Sequence, residues 1–104
     1  MKPLLLIVSI LIAATRAEAS DWLYCLAAAP EEHKVYMSEP FQTDASMTTV
    51  SDAFSRLLAG LKLQHGEIQC PRSDSEEPSL LMRDHAIDFN RMNGNEIAKV
   101  SGKP

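Results

Sequence analysis

The sequence predicts a small α+β domain: a sheet of about four strands with two helices on one face, in the order β-β-α-β-α-β, closed by one disulfide. Three observations carry this prediction. Short runs of strand-forming residues recur at 22–28, 34–40, 67–71 and 96–100, separated by turn-formers. A segment starting at Val50 repeats its apolar residues at helical spacing. The chain has 104 residues and only two cysteines, Cys25 and Cys70.

The first 19 residues read as a secretory signal peptide. Met1-Lys2 is a positive start, Leu4 to Ala14 is apolar apart from Ser9, and Ala17-Glu18-Ala19 is a small-x-small cleavage site. The apolar run is half the roughly 20 residues that a spanning helix needs. The expected domain is therefore 20–104: one small exported unit, periplasmic or secreted, with no stable membrane insertion after cleavage. Removing Lys2, Arg16 and Glu18 with the leader leaves eight basic and thirteen acidic residues, a net charge of −5 with histidines neutral. That balance argues against nucleic acid, whose phosphates require clustered Lys and Arg.

Export makes the cysteines informative. An even count in a small exported domain predicts a bridge, and two cysteines allow one intramolecular pairing. It closes a loop of about 45 residues, worth about 4 kcal/mol in the chain-entropy model. Redox chemistry is the competing reading; no Cys-x-x-Cys is present and neither cysteine has a histidine nearby.

The elements follow in order. Trp22 to Ala28 (WLYCLAA) reads as a buried strand. Pro30-Glu31-Glu32-His33 is a turn, and Lys34 to Pro40 (KVYMSEP) returns as a second strand, with Val35 and Met37 on one face and Tyr36 and Ser38 on the other. Phe41 anchors the chain as it leaves the sheet. Gln42 to Thr48 has no periodicity and reads as a loop. Val50, Phe54, Leu57, Leu58 and Leu61 form one helical face, with Thr48, Thr49 or Ser51 as cap and Gly66 as the left-handed stop. Glu67 to Pro71 is a short strand ended by its proline. Arg72 to Pro78 is a charged loop. A second helix runs from about Ser79 to Met92, capped by Ser75 or Ser79, with Met82, Ala86, Ile87 and Phe89 inward and Asn93-Gly94 as its stop. Glu96 to Val100 is the last strand. A bridge between Cys25 and Cys70 brings the first and third strands together, which a strand order of second-first-third satisfies. The sequence does not place the fourth strand.

Several of these residues form a pattern: Tyr24-Cys25, Tyr36-x-Ser38-x-x-Phe41, Phe54 with Leu58, Gln69-Cys70-Pro71, then Arg83 with Ile87 and Gly94. The set resembles a small domain of bacterial exported proteins that has no assigned activity. In that group a Tyr-Cys strand opens the domain, and a Cys-Pro strand follows the first helix. The resemblance implies a disulfide-stapled exported domain and no mechanism. The last strand of such domains often ends with an aromatic, which Ala98-Lys99-Val100 lacks.

Chemistry-bearing groups are few. Asp84, His85 and Asp88 could offer two oxygens and a nitrogen to a divalent cation, but the bland alternative is a solvated face with Arg83 and Arg91 as charge partners. His33, His65 and His85 are the only histidines, and no Gly-x-Ser-x-Gly or Ser-x-x-Lys motif is present. No catalytic residue, metal or cofactor is predicted. What remains is surface. Four aromatics cluster in and just after the first hairpin, and Trp22 and Tyr36 are the candidates for an exposed pair. With Glu31 and Glu32 at the hairpin tip they form the candidate surface for a protein partner of unknown identity. The expectation is a non-enzymatic binding or inhibitor/immunity-type module. The alternatives are a structural envelope accessory protein and, further off, a small hydrolase or metal-dependent enzyme.

Overall fold

The computed structural model describes residues 20–101, so the leader expected at 1–19 lies outside the described residues. The fold is α+β. Its strands are β1 (Asp21–Leu23), β2 (Leu26–Ala29), β3 (Lys34–Ser38), β4 (Phe41–Thr43), β5 (Ile68–Gln69), β6 (Arg72–Ser73) and β7 (Glu96–Val100). Its helices are α1 (Met47–Gly60) and α2 (Glu76–Met92), with a single 3-10 turn at Pro30–Glu32.

Two sheets form, with strand orders β4-β1-β6 and β5-β2-β3-β7. Six of the seven strands belong to three bent segments. β1 and β2 are one run interrupted at Tyr24-Cys25. β3 and β4 are interrupted at Glu39-Pro40, and β5 and β6 at Cys70-Pro71. Each segment crosses from one sheet to the other at its interruption, in the order second-first-third on both sides of the corner. The expected single sheet of about four strands is therefore folded into two. The loops expected at 42–48 and 72–78 begin with β4 and β6.

Proline and a register shift explain the corner. Pro40 and Pro71 have no N–H to give to a ladder. Leu26 pairs with Met37, whereas Leu23 pairs with Phe41. Two residues on the first segment thus face three on the second, a bulge that bends the strand. Ser38 stitches the bend. Its N–H donates to the Cys25 carbonyl at 2.9 Å, and its Oγ accepts from the Cys25 N–H at 2.9 Å.

The disulfide sits in the same corner. Leu23 pairs with Arg72 and Leu26 with Gln69, a continuous register that places Cys25 opposite Cys70. The two are bonded, with Cα atoms 4.1 Å apart, and both side chains are buried.

The helices lie on opposite faces of the larger sheet, not on one. Alternation along the strands decides this. Ala27, Ala29, Tyr36 and Val100 pack with Val50, Phe54 and Leu58 of α1. Tyr24, Val35 and Met37 pack with Met82, Ala86 and Ile87 of α2. β7 joins β3 in parallel, Lys34 opposite Glu96 through Ser38 opposite Val100. A parallel neighbour requires a crossover, and here the intervening chain covers both faces. Val35 to Ser38 are consequently all buried, although their pattern suggested a half-exposed strand.

The helix ends differ from expectation. Ser46 caps α1, its hydroxyl accepting from the Thr49 N–H at 3.1 Å. Thr48, Thr49 and Ser51 lie inside the helix. α1 stops at Gly60, six residues before the expected glycine, and Lys62 takes the left-handed conformation at φ 61°. Gly66 instead gives its N–H to the Ala28 carbonyl at 2.7 Å. Leu61 is exposed. α2 begins at Glu76, earlier than expected, with Ser75 at the cap position, and ends at Met92, with Asn93 as the C-cap before Gly94 at φ 87°.

On α2 the inward stripe holds for Met82, Ala86 and Ile87 but not for Phe89, which is 65% exposed. The buried line of this helix contains polar residues, Ser79 and Arg83. Arg83 is thus not a charge partner on a solvated face. Its Nε donates to the Ser38 carbonyl at 3.0 Å, and its Nη2 lies 3.7 Å from a Glu39 carboxylate oxygen. The arginine ties α2 to the sheet corner.

Candidate functional site

The first hairpin and the α1–β5 connection meet at one end of the larger sheet. The chain leaves β2 at Ala29, makes its 3-10 turn, and re-enters β3 through His33 in the left-handed conformation at φ 56°. Asn, Asp and His are the non-glycine residues that tolerate that conformation best. The hydrogen bond from Gly66 to Ala28 draws the α1–β5 connection alongside. Between them lies a cleft of about 360 Å³, lined by Ala29, Pro30, Glu31, Glu32, Gln64, His65 and Gly66.

Acceptors dominate its polar lining. Glu31 and Glu32 stand on one wall. On the other, His65 Nδ1 lies 2.7 Å from the Gly66 carbonyl oxygen. A carbonyl only accepts, so Nδ1 carries the hydrogen, and in the tautomer this selects Nε2 is the acceptor. The Gln64 side-chain amide can both donate and accept. Such a lining suits a ligand that donates: a guanidinium or an ammonium group.

The four residues expected to make a partner surface separate into three roles. Glu31 and Glu32 line the cleft. Tyr36 does not join them as an exposed aromatic: its ring is 3% exposed, packed on the α1 side of the sheet, because both sheet faces are covered. Only its hydroxyl reaches the tip, donating to Glu32 Oε1 at 3.1 Å. Tyr36 therefore positions Glu32. Trp22 is half-buried in β1, between Gln42 and Ser73, in the other sheet. Gln64 and His65 were not legible as site residues. Nothing in their spacing distinguishes them, and only the folding of the α1–β5 connection against the hairpin brings them to the glutamates.

Among the described residues no group of three or more His, Cys, Asp and Glu side chains converges as metal ligands. Asp84, His85 and Asp88 are exposed on α2, which packs against the opposite face of the sheet from α1. No described helix is long and apolar enough to cross a membrane. The chain matches no protein-family model, no curated protein and no solved structure.

Both tyrosines titrate above the usual phenol value of 10.0. Burial pushes the Tyr24 hydroxyl up, and the positive charge of Arg83 opposes it more weakly. Tyr36 is raised by burial, then by its hydrogen bond to Glu32 and by that residue's charge. The protonated phenols are thus favoured in the folded state. Their contribution to stability is complete below the unfolded value of about 10 and is lost as pH rises through the higher folded values. A phenolate absorbance titration is expected to show both groups ionising later in the native protein than in denaturant. Coincident curves would contradict the geometry.

Proposed function

We propose that the protein is a non-enzymatic binding or inhibitor-type module of an oxidising, extracytoplasmic compartment, and that it holds a cationic side chain of a protein partner in the hairpin-tip cleft. The observation that carries this reading is the cleft itself. Two carboxylates, one anchored by Tyr36, line the same cleft as a histidine whose Nδ1 hydrogen is committed to a backbone carbonyl. An arginine or lysine entering it gains charge-assisted hydrogen bonds from both walls. The buried disulfide fits an oxidising compartment, where such bonds persist. The acidic balance of the chain would steer a basic partner toward the site.

The test is capture followed by substitution. Oxidised protein is immobilised and exposed to extracytoplasmic and secreted fractions, and bound proteins are identified by mass. The expected result is a stoichiometric partner whose affinity falls roughly tenfold or more in the Glu31→Gln/Glu32→Gln variant. Both side chains are exposed, so the variant is expected to keep the wild-type circular dichroism and melting curve. A partner that binds the double variant as tightly as the wild type would remove the cleft from the proposal. No partner in either fraction would overturn the binding reading.

A further inference from the structure

The outer face of α2 carries an apolar stripe broken by charges. Leu81 is 53% exposed and Met92 86%, with Phe89 beside them. Leu81, His85, Asp88 and Met92 are spaced four, three and four residues apart, the spacing of a helix–helix seam. Asp84 and Arg91 flank this seam on one side and Phe89 on the other. The charges are unresolved within the monomer. Asp84 and Asp88 are like charges at i and i+4, a destabilising pair. Among the described residues, none of Asp84, His85, Asp88 and Arg91 is in an ion pair.

We infer that this face is a self-association surface, on which a second copy of the chain docks through an antiparallel α2–α2 pair. The argument is self-complementarity. A two-fold axis level with the Ala86–Ile87 peptide sets Leu81 opposite Met92 of the second copy. The same axis sets His85 opposite Asp88 of the second copy, and places Asp84 one half-turn from Arg91 of the second copy. Each contact occurs twice, as an isologous interface requires. Asp84, His85, Asp88 and Arg91 then each meet an opposite or titratable partner, and Leu81 and Met92, the exposed apolar ends of the seam, are covered. An anionic membrane surface would meet Asp84 and Asp88, which repel it. The face lies on α2, across the larger sheet from α1, whose connection to β5 forms one wall of the cleft, so the two surfaces do not compete.

The contact is small. α2 has 17 residues, and the seam covers only three turns of it. A contact of that length falls short of the ~800 Å² per partner of a standard stable interface, so a weak, concentration-dependent dimer is expected.

Sedimentation across a concentration series tests the inference. The purified oxidised wild type is expected to shift from monomer to dimer as concentration rises. Asp84→Arg alone sets two arginines together across the seam, and Arg91→Asp alone sets two aspartates together. Each is expected to weaken association roughly tenfold. The Asp84→Arg/Arg91→Asp double variant restores the pair in reversed polarity and is expected to return to within about threefold of the wild type. Met92→Glu is expected to give a monomer throughout. All three positions are exposed, so melting curves distinguish loss of association from loss of fold. A wild type that stays monomeric at about 1 mM would overturn the inference, leaving the face to another partner or to solvent. A double variant as weak as the single variants would overturn the antiparallel register.

Discussion

Cys25→Ser and Cys70→Ser are each expected to melt far below the oxidised wild type, by well over ~5 °C. The bond joins residues 45 apart. Cross-linking a loop of that length removes unfolded-chain entropy worth about 4 kcal/mol, within the 2–5 kcal/mol usually lost with a native disulfide of a small exported domain. For a domain this size about 1 kcal/mol shifts the melting temperature by 4–8 °C. Position adds to the effect. Cys25 and Cys70 face each other where the ladders of both sheets are interrupted. Between Leu26–Gln69 and Leu23–Arg72 the bridge is the cross-strand tie that holds the first and third segments through the corner. Thermal melts of oxidised wild type and of the serine variants measure this. Indistinguishable curves would show that the corner is held without the bond.

Phe54→Ala is expected to cost about 3–5 kcal/mol, the range for removing a buried phenylalanine ring. Phe54 has no exposed surface and packs from the α1 stripe against the alanine-lined face of the larger sheet. Ala27 and Ala29 cannot extend to fill the space, and the disulfide limits how far the sheet corner can close over it. Phe89→Ala is the control. Both phenylalanines look like core residues by spacing, but Phe89 is exposed on α2, and its loss is expected to change stability by less than about 0.5 kcal/mol in dilute protein. Chemical denaturation of the two variants decides the matter. Equal costs would mean that Phe89 is buried in solution.

Residues whose pattern repeats over a long window were readable, and those whose role depends on a distant neighbour were not. The α1 stripe of Val50, Phe54 and Leu58 is buried as its periodicity requires, and β7 spans Glu96–Val100 as its alternation suggests. On α2 the pattern misled because the buried line includes Ser79 and Arg83. An arginine on a helix reads as solvated until a carbonyl such as that of Ser38 is brought to it. The candidate site was half legible. Glu31 and Glu32 stand out as an acidic turn, whereas Tyr36 became a buried support because α1 and α2 cover both faces of its strand.

By itself the sequence determined the α+β class, the order of helices and main strands, and the Cys25–Cys70 pairing. Each depends on local propensity, on short-range periodicity, or on there being only two cysteines to pair. Only the tertiary structure decided that the strands bend into two sheets, that the helices take opposite faces, that β7 runs parallel to β3, and that Gln64 and His65 join the glutamates. Those outcomes depend on which segments meet after long excursions of chain. Pro40, Pro71 and the bulge at the corner mark where the strands must break, but the packing of α1 and α2 determines where the broken pieces lie.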